Sequence, residues 1–244
     1  MSTIPRSSIE GVLTTLKEIG WAPGAIIDIG VAAGTPGLYS VWPETTICLV
    51  EPSSKGLVYM EQIAAKYADV RIYNVAASDR TGSVPGSEHE ELLNVALAKP
   101  RGPFKFATFP AMTCDDIVAD ARLTPPFVYK LDTDTHEREI LGGSSATLAK
   151  TDICIVEMCV FHGLHSRARP DELWRAVHDN GFVFFDLASS GYGRTGVMRT
   201  ADLVFVREDS SLYRLAFENA AKRADLTEHR ARQYQAALAD NPNI

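Results

Sequence analysis

Short β-rich runs, several of them apolar at nearly every position, recur along the chain and alternate with stretches of helical spacing. This alternation constrains the fold more than any other feature. The runs are residues 25–29, 46–50, 70–75, 127–131, 153–158, 182–185 and 203–206. A strand buried on both faces reads as a continuous apolar run, whereas a half-solvated strand alternates. Helical spacing fills 56–67, 114–121, 137–149 and 170–180. The last is the clearest: Leu173, Trp174 and Val177 form one stripe, and Asn180-Gly181 supplies a stop before the next strand. Strands interleaved with helices predict an α/β fold, a mostly parallel sheet with helices on both faces.

Two regions depart from the pattern. Residues 81–112, with their prolines, glycines and the stretch KPRGPFKFATFP, read as a long loop or small hairpin insertion. Residues 219–244 are polar and helix-prone and read as a C-terminal helical extension, exposed or in contact with a partner. The organisation expected is a single domain over 1–218, with an N-terminal helix at 7–20 and the insertion at 81–112, followed by the extension. With 244 residues and 45% hydrophobic composition, one sizeable core suffices.

A formal charge of -7 argues against a nucleic-acid partner, because phosphate-backbone binding needs clustered Lys and Arg. No apolar run approaches the length of a membrane span, and the first residues lack the basic and apolar regions of a secretory signal. A cytoplasmic location is therefore expected, with homo-oligomerisation left open. The four cysteines, Cys48, Cys114, Cys154 and Cys159, show no C-x-x-C pairing and read as reduced core thiols.

The first strand runs into a break, GAIIDIGVAAGTPGLYS, with Gly30, Gly34 and Gly37. A dinucleotide fingerprint would need glycine where Ala32 stands, and a P-loop would need a closing Gly-Lys-Ser/Thr. What remains is Asp28, a glycine-bearing turn and a helix start, which offers backbone N–H groups and a positive dipole end to an anionic group. Glu51 ends the second strand about 20 residues further on, where an acidic residue in such folds accepts hydrogen bonds from a ribose diol. A nucleoside carrying an amino-acid tail fits both features, and S-adenosylmethionine is such a molecule. The plainer alternative is that Asp28 caps a turn and Glu51 is a solvated strand end. At the carboxyl end of 127–131, VYKLDTDTHEREIL crowds Asp132, Asp134, His136 and Glu137 onto the rim where ligands bind in open α/β sheets. Glu157, His162 and His165, from CIVEMCVFHGLHS, approach the same rim.

Taken in order, IIDIGVAAGTPGLYS, LVEP, NVAASDRTG, MTCDDIV, VYKLDTDTHEREILGGS, DICIVEM and ELWRAVHDNGF resemble the FkbM-type family of S-adenosylmethionine-dependent methyltransferases over roughly residues 24–208. Agreement of seven weak motifs in order and spacing carries the resemblance. It implies a Rossmann-like, seven-stranded class I methyltransferase sheet with an antiparallel last strand, and O-methylation of a hydroxyl on a sugar, glycan or polyketide-like small molecule. It also assigns the cofactor turn to Asp28, Gly30 and Gly34, the ribose contact to Glu51, and the adenine edge to Ser78 and Asp79. Asp132 falls beside the methyl-donating end, and Glu137 matches the acidic residue of the fourth motif. The chain departs from the family at Ala32, where many members have Asn, and at Thr135, where a glycine is usual.

A hydroxyl acceptor must lose its proton, so a base near neutral pH is wanted. His136 is the first candidate and Asp132 the second, as base or as orienter of the histidine. The alternative for His136 is a surface residue in the first turn of the next helix. His162, Glu137 and Tyr192 are the candidate acceptor contacts, with His165 behind them. Residues 189–196, containing Tyr192 and Arg194, read equally as a lid or as a surface hairpin. Arg167 and Arg169 follow the histidine loop and read as solvated helix-flanking residues, the alternative being contacts to an acidic substrate group. Asp132, His136, Glu157 and His162 form no compact ligand motif, so no metal is expected. A rival of another class is a nucleoside-binding sensor of the same fold without chemistry; an NAD-dependent oxidoreductase is disfavoured by Ala32.

Overall fold

The computed structural model describes residues 7–88, 95–96, 105–133, 136–160 and 169–222, together with 232–233, 235–236 and 239. Its strands are β1 (Ala25–Ile29), β2 (Thr46–Val50), β3 (Val70–Tyr73), β4 (Ala76–Ala77), β5 (Gly82–Glu88), β6 (Val95–Ala96), β7 (Lys105–Met112), β8 (Phe127–Leu131), β9 (Thr151–Cys159), β10 (Phe182–Tyr192) and β11 (Met198–Arg207). The helices are α1 (Ile9–Glu18), α2 (Pro36–Tyr39), α3 (Ser54–Ala64), α4 (Cys114–Asp120), α5 (Glu137–Gly142), α6 (Ser145–Leu148), α7 (Pro170–Asp179) and α8 (Ser211–Lys222).

Seven strands form the main sheet in the order β10-β11-β9-β8-β1-β2-β3. β1, β2, β3, β8 and β9 pair in parallel, and β11 runs antiparallel to both β9 and β10. This is the Rossmann-like class I methyltransferase topology, with the antiparallel last strand inserted between its two predecessors. The apolar runs explain the centre of the sheet: β1 and β8 are buried at every position. On one face Ile26, Ile47, Val128 and Ile155 pack beneath Leu13 and Leu16 of α1 and Met60 of α3. On the other, Ile27, Cys48, Tyr129 and Cys154 meet Ile117 of α4, Ile140 of α5 and Val177 of α7. Three cysteines, Cys48, Cys114 and Cys154, are buried as free thiols.

Several elements differ from the sequence expectation. The helix predicted over 137–149 is two short helices, broken at Gly143, where a Cβ would overlap the carbonyl oxygen of Ser78. β10 and β11 extend beyond the apolar runs as a long hairpin that includes Tyr192, so 189–196 is strand and turn. The described part of the 81–112 insertion is sheet: β5 pairs antiparallel with β7, and β4 joins β7 to complete a four-stranded sheet of its own. Residues 89–94 and 97–104, and most of 223–244, lie outside the described residues. No helix among those described is long and apolar enough to cross a membrane.

Candidate functional site

Strand order reverses between β1 and β8, and ligands of open α/β sheets bind outside the carboxyl ends of the strands at such a switch point. A cavity of about 290 Å³ opens there. It is lined by the turn from Gly30 to Thr35, by Glu51 and Pro52 after β2, by Ala76 and Ala77 of β4, and by Lys130, Asp132 and Thr133 at the end of β8.

The turn is held in a left-handed conformation at three positions, Gly30 (φ +82°), Ala32 (φ +46°) and Gly34 (φ +94°). Gly30 is required twice over. Its φ favours glycine, and a Cβ there would overlap the carbonyl oxygen of Asp132. Main-chain bonds continue the ladder past the strand ends: Gly30 N–H donates to Val50 O (2.9 Å) and Asp132 N–H to Ile29 O (3.0 Å). The helix after the turn, α2, is a single turn of four residues with Pro36 in its first positions. It is too short to sum a useful dipole, which corrects the expectation of a positive helix end. The turn's own backbone forms the wall.

Glu51 is buried yet lines the cavity. Its Oε1 accepts from Ser53 N–H (2.9 Å) and its Oε2 from Ala32 N–H (3.3 Å). Burial raises its pKa, and the Ser53 and Ala32 donors oppose the rise without cancelling it. Glu51 is therefore no solvated strand end; it ties the first turn to the second strand.

Asp28 lies behind the turn, fully buried and outside the cavity lining. Tyr39 Oη donates to its Oδ2, and Lys130 Nζ stands 3.7 Å from its Oδ1. Burial raises the Asp28 pKa, against the pull of Lys130 and Tyr39. Tyr39 Oη also accepts from Thr35 N–H (3.1 Å), so one phenol braces both the strand end and the turn. Lys130 Nζ makes a second, shorter contact of 2.7 Å to Asp132 Oδ2. Burial alone would lower the lysine pKa, but the two carboxylates outweigh it and hold the ammonium charged.

Ser78 and Asp79 follow β4, and Ser78 Oγ donates to Asp79 Oδ1 (3.1 Å). Ser78 Oγ is also 3.0 Å from His136 Nε2. His136 is the N-cap of α5 and is only 6% exposed, so it is not a surface residue; nor is it among the cavity lining. Glu137 is buried and accepts from Thr133 Oγ1 (3.2 Å). Thus Gly30, Gly34, Glu51 and Asp132 come together around the cavity, Asp28 sits behind it, and Ser78, Asp79 and His136 cluster on its β4 side. Tyr192 stands apart on the β10–β11 hairpin, 60% exposed. His162, His165, Arg167, Asp134 and Thr135 lie outside the described residues.

Lys130 lies within the VYKLDTDTHEREILGGS motif, but the sequence alone attaches no role to it; a single cation inside the otherwise apolar FVYKL is the signal that could have done so. A second hollow was also missed, an apolar groove between α7 and the β9–β11–β10 edge, with Trp174, Phe184, Leu187 and Met198 along it.

No protein-family model matches the sequence, and no curated protein is similar to it in sequence. Among solved structures the chain is similar to magnesium protoporphyrin IX methyltransferase from Synechocystis PCC 6803 with bound SAM, at 13% identity and a TM-score of 0.44, covering 83% of this chain and 79% of that one. It is also similar to an N-methyltransferase from Bradyrhizobium japonicum WM9 in complex with S-adenosyl-l-homocysteine, at 8% identity and a TM-score of 0.46, covering 82% and 88%. At these identities and scores the likenesses assign neither ligand nor activity to this chain; its fold is given by its own strand order.

Proposed function

We propose that the chain is an S-adenosylmethionine-dependent methyltransferase of FkbM type that methylates a hydroxyl of a sugar, glycan or polyketide-like small molecule. The observation that carries the reading is the cavity at the strand-order reversal, with carboxylates from two strand ends in its lining, Glu51 after β2 and Asp132 after β8. The donor set fits such a nucleoside. Glu51 has carboxylate lone pairs left over from its two backbone donors, as a ribose diol requires. Asp132 presents an anion, about a third exposed, at the end of the cavity where a cationic sulfonium would lie. The motif order supports the hydroxyl acceptor.

Bound in this cavity, the sulfonium supplies an electrophilic methyl group. The protein's part is then to hold the nucleoside, exclude alternative poses and accept the hydroxyl proton. The turn at Gly30–Gly34 and the carboxylate of Glu51 fix the nucleoside, and positioning of the acceptor in line with the S–CH₃ bond supplies much of the rate. Asp132 is the base candidate that lines the cavity. His136, engaged with Ser78, fits better as a brace between β4 and α5 than as the proton acceptor.

Calorimetric titration with S-adenosylmethionine and S-adenosylhomocysteine tests the reading. Both bind the native chain, and Glu51→Ala weakens both by at least about tenfold, the loss of one charge-assisted hydrogen-bond set. Absence of binding to either nucleoside overturns it. Labelled-methyl transfer to a panel of sugars, glycosides and polyketide-like alcohols then separates an enzyme from a sensor of the same fold, which would bind without turnover.

A further inference from the structure

Lys130 is the least expected residue of the central sheet. It lies in β8 between Tyr129 and Leu131, both fully buried, and is itself 3% exposed. A buried ion pair seldom stabilises a fold better than apolar packing of the same volume, because desolvation offsets the Coulombic attraction. Core packing alone therefore gives no reason for an ammonium here. Its surroundings do. Lys130 is the register partner of Asp28 across the β1–β8 pair, and Asp132, two residues on, shares its side of the strand. Its Nζ stands 3.7 Å from Asp28 Oδ1 and 2.7 Å from Asp132 Oδ2, while the side chain reaches the cavity. Asp202 on β11 adds a further carboxylate to the field on the ammonium. Asp28 is fixed in turn by Tyr39. The chain of contacts Tyr39–Asp28–Lys130–Asp132 thus begins in the core and ends on a carboxylate at the cavity.

We propose that Lys130 is a positioning residue, which locks the Asp132 carboxylate in the orientation that a cationic methyl donor meets. This rests on the reading of the cavity as a donor site and deepens it. Without the ammonium, a third-exposed aspartate is free to turn into solvent, where its charge is screened. Discrimination between the sulfonium and the neutral thioether then fades, even where the nucleoside still binds.

The test is the ratio of the dissociation constants of S-adenosylhomocysteine and S-adenosylmethionine, measured by calorimetry on the native chain, Lys130→Met, Asp132→Asn and the double variant. Lys130→Met lowers the ratio by roughly fivefold or more, and Asp132→Asn lowers it in the native background while adding little to Lys130→Met, as for residues acting as one unit. A merely structural lysine would weaken both ligands alike and leave the ratio alone. An unchanged or raised ratio, or full additivity, overturns the proposal while leaving the donor site standing. Failure of the native chain to bind either nucleoside removes the donor site and the proposal with it. Should Lys130→Met not fold, ¹⁵N-lysine NMR of the native chain decides. The Lys130 ammonium signal shifts between the thioether-bound and sulfonium-bound states, and does not do so in Asp132→Asn; identical native signals in the two states overturn the proposal.

Discussion

Replacing Gly30 by alanine separates two reasons for a glycine that are usually confounded. Gly30 and Gly20 both have left-handed backbones, at φ +82° and +96°, so alanine at either incurs the same conformational penalty, roughly 1–2 kcal/mol. Gly20, just past α1, has no atom within 4 Å of the new Cβ. At Gly30 the Cβ would overlap the Asp132 carbonyl, which belongs to main chain and cannot swing aside. The end of β8 must shift, with overpacking of about 1–3 kcal/mol. The Asp132 N–H to Ile29 O bond, 3.0 Å, is also loosened, at a net loss of about 1 kcal/mol. Gly30→Ala should therefore unfold in urea with a stability roughly 2–4 kcal/mol below that of Gly20→Ala. In thermal melts the gap is of the order of 4–16 °C at this chain length. Equal destabilisation of the two variants, within about 0.5 kcal/mol, would refute the claim that β1 and β8 meet backbone to backbone at the cavity.

Three further outcomes follow from the same geometry. If Glu51 holds the nucleoside as proposed, its raised pKa makes nucleoside affinity pH-dependent: the ionised carboxylate would be the acceptor, so affinity should be full above that pKa and fall as pH drops through it. Glu51→Gln should give weaker binding with a flatter profile in the same calorimetric series. Tyr39→Phe removes the hydroxyl shared by Asp28 and Thr35, leaving the buried Asp28 carboxylate and the half-buried Thr35 N–H a partner short, and should lower urea stability by roughly 1–3 kcal/mol; a loss under about 0.5 kcal/mol would discount the brace. Gly56→Ala places a methyl against the hydrogen-bonded Glu51 side chain and against Ser53 Oγ, which caps α3, so both must turn away, although the helix itself favours alanine by about 1 kcal/mol. Stability should fall by about 1–3 kcal/mol while S-adenosylhomocysteine affinity falls about tenfold or more; undiminished binding would show that Glu51 does not touch the nucleoside.

The core strands were legible because burial on both faces leaves an apolar run, as in β1 and β8. Their extensions were not. From Asp186 to Tyr192 only Ala188 of β10 is buried, so no apolar run marks the strand, and its ladder with β11 is made by main-chain groups. The insertion was hidden for a related reason: Pro85 and Pro110 punctuate β5 and β7 and suppress a strand reading without preventing the pairing. At the cavity, Glu51 and Asp132 were readable from their places at strand ends. Ala32 was opaque, since nothing in an alanine announces a φ of +46° or an amide that reaches Glu51. Pro36 is the opening residue of α2, a position its fixed φ suits. Lys130 and its two carboxylates were each visible as letters, but their contact depends on the β1–β8 register, which a linear reading does not contain.

The backbone contact at Gly30 divides the molecule for an engineer. The space between the first turn and the end of β8 is set by the spacing of paired strands, about 4.8 Å, and by main-chain hydrogen bonds. Neither depends on the identity of the residues at the turn of the β10–β11 hairpin, 193–197. That turn can then be exchanged, lengthened or randomised as a library, while the rim at β1, β2 and β8 is inherited unchanged as a chassis.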